Sequence, residues 1–477
     1  MKNSTAIKKS NTLDMTQGSI AKNLLKFSIP LILTSLLQLA FNAADIIVVG
    51  QFADPSISSN AVASIGATAP LINLLVNLFL GLSTGATVVI AKYYGAKLDK
   101  DLSQTVHTSI LLSVISGLLL TIIGIFGAKY ILIWMQTPQS VLPLATKYLQ
   151  IYFAGNVVTM LYNFGSGILR AVGDTKRPLI FLAISGVANV GFNLFFVLVL
   201  NMSVEGVALG TLISQSISAV LIMICLTRED NALRLQFKKL KLHKHKLLNI
   251  IRIGLPAGIQ SSLFSLSNIF IQSSINSFGE ITMAGNSATG NLEGFAYVFM
   301  NAFHHASISC ASQNLGAGKV DRIKKTLIIS PIIASISGII ACSTILLLAR
   351  PLLGLYLTDQ LAIEEGMVRM YSILPIYFIL GIMDGISGVI RGAGFAIYPT
   401  IVNLIGVCGL RILWIFTVFA IPEYHTIPVL FLSWPLSWIF VIIALLIFYF
   451  TYARAKIVSM YQDSKSEIEK NSTNLVA

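Results

Sequence analysis

Acidic and amide side chains occur inside long apolar stretches of this 477-residue sequence, where they fall at helical spacings. Gln38, Asn42 and Asp45 are spaced i, i+4 and i+7, so they share one face of a helix. An ionisable group in an apolar segment is costly, and it usually marks an ion or substrate path. Asp45 with its neighbouring amide oxygens therefore predicts a site for a proton or a small cation. The alternative is that Asp45 lies at the membrane interface, near the end of its helix.

Three further stretches of the first half carry uncharged polar residues at one-turn or two-turn spacings. These residues are Asn73, Asn77, Asn156, Thr159, Asn163, Asn189 and Asn193. If the four polar faces meet, they enclose a hydrated cavity in which Asp45 is the single acid. The amides have an alternative role as hydrogen-bonding contacts between helices, worth about 0.6 kcal/mol each.

The second half has a different set of polar residues. One helical face carries Glu293, Tyr297, Asn301 and His304, while Asp384 and Arg411 lie on other stretches. Counting 1.5 Å per residue along each helix places Glu293 and Arg411 at similar depth. This predicts a structural ion pair between them, with Asp384 as the other candidate partner of Arg411. The acid left over would bind the coupling ion or a cationic substrate.

The elements that carry these residues are predicted to be membrane-spanning helices. Hydrophobic residues make up 55% of the chain and charged residues only 11%, against roughly 25% charged residues in soluble proteins. Twelve apolar runs reach the length of about 20 residues that a spanning helix needs, and the tenth of them begins at Tyr371. The predicted fold class is an all-α integral membrane protein with twelve transmembrane helices.

The net charge of +13 indicates topology rather than nucleic-acid binding. Lysine and arginine gather in alternate connections and in both tails, so the positive-inside rule places both termini in the cytoplasm. We therefore expect a multi-pass protein of the cell inner membrane. The predicted segments are a cytoplasmic tail (1–26), a first lobe with helices 1–6 (27–226), a basic cytoplasmic linker (227–252), a second lobe with helices 7–12 (253–452) and a second tail (453–477).

The two lobes are predicted to be repeats. At an offset of 221 residues, Gly95 falls on Gly316, Arg170 on Arg391 and Pro178 on Pro399. Six helices per repeat give both halves the same orientation, so a pseudo-twofold axis along the membrane normal is expected. The sequence thus predicts two pseudo-symmetric six-helix bundles with a substrate site near their interface.

Enzyme signatures are missing from the sequence. It contains no phosphate-binding loop, no nucleophile elbow, no two-histidine metalloprotease motif and no Cys-x-x-Cys pair. We expect no catalytic residue, no metal site, no ATP use and no cofactor other than a coupling H+ or Na+ ion.

Short motifs recur in order in both halves: Met15–Ser19, Lys92–Ala96, Ile168–Thr175, Ser312–Gly318 and Ile390–Gly394, together with Pro30, Asn42 and Asp45. Taken together, they resemble the multidrug and toxic compound extrusion (MATE) family, in the branch of bacterial exporters similar to MepA and DinF. The resemblance implies antiport, in which organic and often cationic compounds leave the cell as protons or sodium ions enter.

The resemblance also implies roles for particular residues. Asp45 matches the first-span aspartate that couples ion movement, and Asn189 matches its fifth-span partner. Asn193 stands where many members carry an aspartate, and Asp384 lies about one turn from the tenth-span aspartate of some members. The glutamate that those members carry in the seventh span is replaced here by Phe264 or Ser265.

The complete expectation is a secondary active antiporter whose partners are small organic substrates and membrane lipid, functional as a monomer. The expected ion-coupling set is Asp45, Asn42, Asn189, Asn193, Asp384 and Glu293, and the expected cavity set is Gln38, Asn73, Asn77, Asn163, Tyr297 and Asn301. Two alternatives stay open: a lipid-linked saccharide flippase of the same superfamily, and a membrane-embedded transferase.

The charge pattern makes a testable prediction of topology. In a variant without the four native cysteines, single cysteines should react with an impermeant thiol reagent added to intact cells when placed at Asp54, Glu205 or Glu423. A cysteine at Lys239 should not react. Labelling of permeabilised cells is the control for accessibility. Reaction of Lys239→Cys in intact cells would reverse the assigned orientation.

Overall fold

The computed structural model describes residues 12–52, 55–135 and 137–459, and within these ranges every regular element is a helix. The predicted terminal tails lie partly outside the described residues, at 1–11 and 460–477. The helices of the first half are α1 (Ile20–Phe52), α2 (Pro55–Gly95), α3 (Asp99–Trp134), α4 (Leu142–Ala154), α5 (Asn156–Ala171), α6 (Lys176–Leu194) and α7 (Val204–Thr227).

The second half has nine helices within the same described ranges, several of them short. They are α8 (Lys244–Asn276), α9 (Glu280–Gly316), α10 (Val320–Leu347), α11 (Ala349–Gly354), α12 (Gln360–Ile373), α13 (Phe378–Gly392), α14 (Ile397–Asn403), α15 (Arg411–Phe416) and α16 (Ile427–Phe448). π-helical turns extend or join helices at Phe195–Val199, Leu404–Leu410 and Tyr449–Ala453.

Nine helices in the described part of the chain are long and apolar enough to cross a membrane. The pair α12 and α13, bent by 47°, gives a tenth when the two helices are counted as one broken span. The other two spans expected from the sequence correspond to the short helices α4 and α5, which break at Gly155, and to α9. α9 has 37 residues, but its buried polar residues, such as Asn286 and Glu293, lower its hydropathy. The structure therefore has the apolar helices of a multi-pass membrane protein.

The described helices bury two large apolar cores, each within one half of the sequence. One contains residues between Leu71 and Ile250, including Phe153, and the other contains residues between Ile271 and Ile457, including Trp438. Turns with left-handed backbone recur in the two halves at Gly173 (φ 85°) and Gly394 (φ 93°), where a side chain would be strained.

Helices α2 and α8 join the two halves through closely packed backbones. Gly81 and Gly85 on α2 face Gly254 and Gly258 on α8. A Cβ atom built on Gly254 would lie 2.6 Å from Leu82 Cα and 2.7 Å from the carbonyl oxygen of Gly81. Small residues spaced four apart on both helices permit this approach, as in membrane helix pairs generally.

A second junction lies at what we call the basic end, where α2 finishes at Gly95 beside the end of α9 at Gly316. The chain before α1 runs between the halves there: Met15 N donates to Gln313 Oε1 (2.9 Å), and Gln313 Nε2 donates to the carbonyl oxygen of Ala171 (2.8 Å). Asn314 Nδ2 and Arg322 Nη2 both donate to the carbonyl oxygen of Met15, at 3.2 and 3.0 Å. Three of the sequence motifs thus meet at one hydrogen-bonded contact.

The glycine contact predicts a position-specific cost for an added methyl group. Gly254→Ala should destabilise the protein by about 1–3 kcal/mol, the usual cost of overpacking, because the new Cβ meets backbone atoms that cannot rotate away. The measurement is the thermal unfolding midpoint of the purified protein in detergent. Gly294→Ala on α9 is the matched control, since a Cβ there meets nothing within 4 Å. Equal midpoints for the two variants would contradict the close packing.

Candidate functional site

The acid of the first half lies in a small polar cluster formed by three helices. Asn193 Nδ2 on α6 donates to Asp45 Oδ1 on α1 at 2.5 Å and approaches Asn189 Oδ1 at 3.4 Å. Asn189 Nδ2 in turn donates to Thr211 Oγ1 on α7 at 3.3 Å. Asp45 is half-buried, while Asn189 and Asn193 are buried. The spacing of the two asparagines, one helical turn apart on α6, points both amides toward the same carboxylate.

One acceptor in this cluster has no donor. Asn193 Oδ1 is buried and makes no hydrogen bond among the described residues. On α7 this oxygen faces Gly210, where an added Cβ atom would collide with it. A buried carbonyl oxygen without a partner is rare, because its desolvation costs about 1–3 kcal/mol. A cation, or a proton carried by Asp45, would give this oxygen a partner.

The other sequence-predicted residues of the first half do not join the Asp45 cluster. Asn42 and Gln38 are exposed on α1, and Asn73 is exposed on α2. Asn77 is half-buried, and Asn163 donates from Nδ2 to the carbonyl oxygen of Thr159 in its own helix at 2.8 Å. Within the described ranges no hydrogen bond connects any of them with Asp45.

In the second half, Glu293 forms a buried ion pair with Arg369. Arg369 Nε and Nη2 donate to the two carboxylate oxygens of Glu293 at 2.8 and 2.7 Å. Arg369 Nη1 donates to the backbone carbonyl of Asn286 at 3.1 Å, and the guanidinium lies 4.6 Å from the centre of the Phe431 ring. Glu293 is 4% exposed and Arg369 7%, so the pair links α9 to α12 inside the protein.

The predicted pair of Arg411 with Glu293 is wrong, because Arg369 occupies both oxygens of that carboxylate. Arg411 Nε donates to Ser437 Oγ on α16 at 3.1 Å, and its guanidinium lies 4.6 Å from the centre of the Trp434 ring. Residue counting gives the depth of a side chain but not the direction in which it points. Arg411 points toward α16, so aromatic faces rather than a carboxylate stabilise its charge.

Asp384 on α13 has no ion-pair partner in the described part of the chain, and its Oδ2 is buried without a hydrogen bond. Its backbone carbonyl accepts a hydrogen bond from His304 Nδ1 at 2.8 Å. Arg391 lies two turns further along the same helix and donates from Nη2 to Gln260 Oε1 at 2.7 Å. Of the two acids that the sequence singled out in the second half, Glu293 is in an ion pair and Asp384 is in none within the described ranges.

Tyr297 and Asn301, which were expected to line the cavity, follow Glu293 on α9 by about one and two helical turns. Tyr297 is 39% exposed and Asn301 is half-buried. Neither side chain is fully enclosed by the described helices.

Comparison with known proteins decides the family. A family model described as MatE matches residues 30–195 and 256–417, which together exceed half of the chain. This chain belongs to the MATE family. The two matched segments begin at Pro30 and Pro256, the prolines that lie inside α1 and α8.

Curated relatives of this MATE-family chain include the probable multidrug resistance protein YoeA of Bacillus subtilis, 27% identical over 84% of this chain and 87% of YoeA. The multidrug export protein MepA of Staphylococcus aureus is 24% identical over 79% of this chain and 83% of MepA. A solved outward-facing multidrug resistance MATE transporter of the MOP superfamily superposes with a TM-score of 0.85 at 20% identity, covering 96% of this chain and all of the other. The last similarity supports the MATE fold alone.

As a member of the MATE family, the protein is a membrane transporter and not an enzyme. MATE transporters require no cofactor. In the described ranges, moreover, no group of three or more His, Cys, Asp or Glu residues lies close enough to hold a metal ion.

Sequence reasoning missed the role of Arg369 in this MATE chain. The tenth span was predicted to begin at Tyr371, which left Arg369 outside it, but α12 begins at Gln360. The residues Ala362, Ile363, Gly366, Met367 and Met370 are all buried. Their three- and four-residue spacing extends the helical pattern toward the N-terminus, and it is the signal that would have placed Arg369 inside the protein.

The Glu293–Arg369 pair predicts a strong effect of removing one partner. Glu293→Gln should cost about 3–5 kcal/mol, because it leaves the guanidinium of Arg369 buried without its counter-charge. The measurements are yield of folded protein and thermal midpoint. Glu293→Gln combined with Arg369→Met should recover most of the loss.

The control for this pair is Arg350 with Glu364, whose side chains are 59% and 49% exposed. Glu364→Gln should change stability by about 0–1 kcal/mol, as expected of a surface ion pair. If Glu293→Gln and Glu364→Gln were equally mild, the buried pair would not stabilise the fold.

Proposed function

We propose that this MATE-family protein is a secondary active antiporter that exports organic, often cationic, compounds in exchange for H+ or Na+. The observation that supports this proposal best is the cluster of Asp45 with Asn193, Asn189 and Thr211. The relatives named for multidrug resistance and multidrug export support the choice of substrates. We place the protein in the inner membrane with both termini in the cytoplasm, and take the single chain as the functional unit.

In this proposal Asp45 binds the coupling ion. A sodium ion would take oxygen ligands from the carboxylate and from Asn193 Oδ1, which has no hydrogen-bond donor among the described residues. A proton would convert the carboxylate to a carboxyl group whose O–H can donate to the same oxygen. Either ion neutralises the charge of Asp45 and satisfies the unpaired acceptor of Asn193.

Ion binding would then shift the balance between two conformations. A ligand shifts such an equilibrium only by its differential affinity for the two states. Asp45 is on α1 and its amide partner is on α6, so neutralising the carboxylate weakens a charge-assisted hydrogen bond between two helices. We propose that α1 repacks against α6 and that this repacking favours release of the substrate outside the cell.

The proposed moving parts are two six-helix bundles, 27–226 and 253–452, joined by the basic linker 227–252. The broken helix α4–α5 and the polar helix α9 complete the twelve spans in this arrangement. Opening toward the cytoplasm would separate the halves at the basic end and break the hydrogen bonds among Met15, Gln313 and Asn314. In this movement the glycine contact of α2 with α8 would either act as the pivot between the halves or separate together with the hydrogen bonds of the basic end.

We assign substrate contacts to polar residues that are not used in ion pairs. They are Gln38, Asn42, Asn73, Asn77, Asn163, Tyr297 and Asn301. Asp384 supplies a second acid for a cationic substrate or ion, because it has no ion-pair partner among the described residues. Glu293 is left out of the coupling set, since both of its oxygens bind Arg369.

The experiment is uphill efflux of a fluorescent organic cation from vesicles under imposed proton and sodium gradients. Asp45→Asn should abolish gradient-driven efflux at matched expression. The asparagine amide carries no charge, so no proton or sodium ion can neutralise it and drive the conformational change. Asp384→Asn should reduce efflux less. The wild-type protein should respond to one of the two gradients when each is imposed alone.

Glu423→Gln is the matched control, since it removes one exposed carboxylate outside the cluster. If Asp45→Asn kept full efflux while Asp384→Asn lost efflux, the ion-coupling site would have to be assigned to the second half. An absence of transport under either gradient by the wild-type protein would reject antiport.

A further inference from the structure

A cavity of about 400 Å³ lies at the basic end, between the first turns of α3 and the connection from α7 to α8. Three lysines and two histidines contribute to its wall, and none of the lining residues is acidic. We call this cavity the basic cradle. Its lining residues are Ser103, Gln104, His107, Lys238, Lys239, Leu240, Lys241 and His243.

Backbone and histidine hydrogen bonds hold the connection against α3. His107 Nδ1 lies 2.7 Å from the carbonyl oxygen of Ser103, to which it donates, and its Nε2 accepts from the backbone N–H of Gln236 at 3.1 Å. Thr108 Oγ1 contacts the carbonyl oxygen of Lys241 at 3.4 Å and the backbone nitrogen of His243 at 3.3 Å. Because these bonds use backbone atoms, they place the lysine side chains without occupying their ammonium groups.

The lysines of the cradle have no counter-charge in the described part of the chain. Lys238, Lys239 and Lys241 are exposed, and none of the ion pairs within the described ranges includes their ammonium groups. Lys246, a few residues away, shows the opposite arrangement, since it is buried, pairs with Asp101 and donates to Tyr93 Oη at 2.9 Å. Three like charges around one cavity repel each other unless an anion lies between them.

A phosphate group fits these surroundings. Lysine binds phosphate as a point charge, and the Ser103 hydroxyl and the Gln104 amide of the same wall can donate further hydrogen bonds. Exposed apolar side chains precede and follow the cradle lysines in the sequence. Phe237 is 61% exposed and Leu248 is 66% exposed. Exposed apolar residues beside a basic cluster are typical of a surface that meets the headgroups and acyl chains of anionic lipid.

We propose that the basic cradle is a binding site for phosphate, carried by the headgroup of an anionic phospholipid or present as free inorganic phosphate. The site is independent of the proposed antiport and of its coupling ion. Its ligand touches α3 and the connection that leads into α8, so binding ties the first half of the chain to the start of the second. Lipid occupancy then stabilises the folded protein.

The test uses the full-length purified protein in detergent with dioleoyl phosphatidylglycerol, with phosphatidylcholine, and with inorganic phosphate alone. The readouts are the lipid molecules retained in native mass spectrometry and the shift of the thermal midpoint on ligand addition. The cradle variant carries Lys238→Gln, Lys239→Gln and Lys241→Gln. The control variant, Lys22→Gln with Lys26→Gln and Lys456→Gln, removes the same charge from exposed lysines that do not line the cradle.

The wild-type protein and the control variant should retain more phosphatidylglycerol than phosphatidylcholine. Their thermal midpoints should rise when phosphatidylglycerol is added. The cradle variant should bind phosphatidylglycerol at least about tenfold more weakly, since each basic residue near an anionic surface contributes roughly a fivefold factor. A response to inorganic phosphate alone, lost in the cradle variant, supports the site and assigns free phosphate as its source. Equal loss in both variants, or a wild-type protein that neither prefers phosphatidylglycerol nor responds to inorganic phosphate, overturns the proposal.

Discussion

The close approach of α2 and α8 is the constraint on which the two halves of this transporter depend. Gly81 and Gly254 bring two backbones together where no side chain fits between them. In a membrane no hydrophobic effect drives helices together, so packing and hydrogen bonds between helices must supply the attraction. The glycine contact supplies packing, and the Met15 contacts with Gln313 and Asn314 supply hydrogen bonds at the basic end.

The charged side chains of the two halves have different kinds of partner, although the two sequences repeat. The first half places Asp45 beside amides, and an acid in such surroundings can change its charge when an ion arrives. The second half locks Glu293 to Arg369 and covers the charge of Arg411 with Trp434, so those residues keep their charge and hold helices together. The asymmetry is thus between an acid that contacts only neutral amides and an acid that has a fixed counter-charge.

Several polar motifs have a structural role that their chemistry alone does not reveal. Gln313 and Asn314 are fully buried, and their amides bind the chain that precedes α1 rather than a solute. Gly173 adopts a left-handed turn, and the segment that contains Leu13 packs directly against it. These residues therefore belong to the contact between the halves at the basic end.

The sequence by itself determined the helical membrane fold, the repeat, and the shared helical face of Asn189 and Asn193. These features depend on apolar length and on spacing within one helix, which are local properties of the chain. Only the tertiary structure decided which charges meet. Depth along a helix follows from residue counting, but the partner of a side chain depends on helix rotation and on which helices are neighbours. For this reason Glu293 pairs with Arg369, Arg411 lies against Trp434, and the polar faces of the first half do not all converge on Asp45.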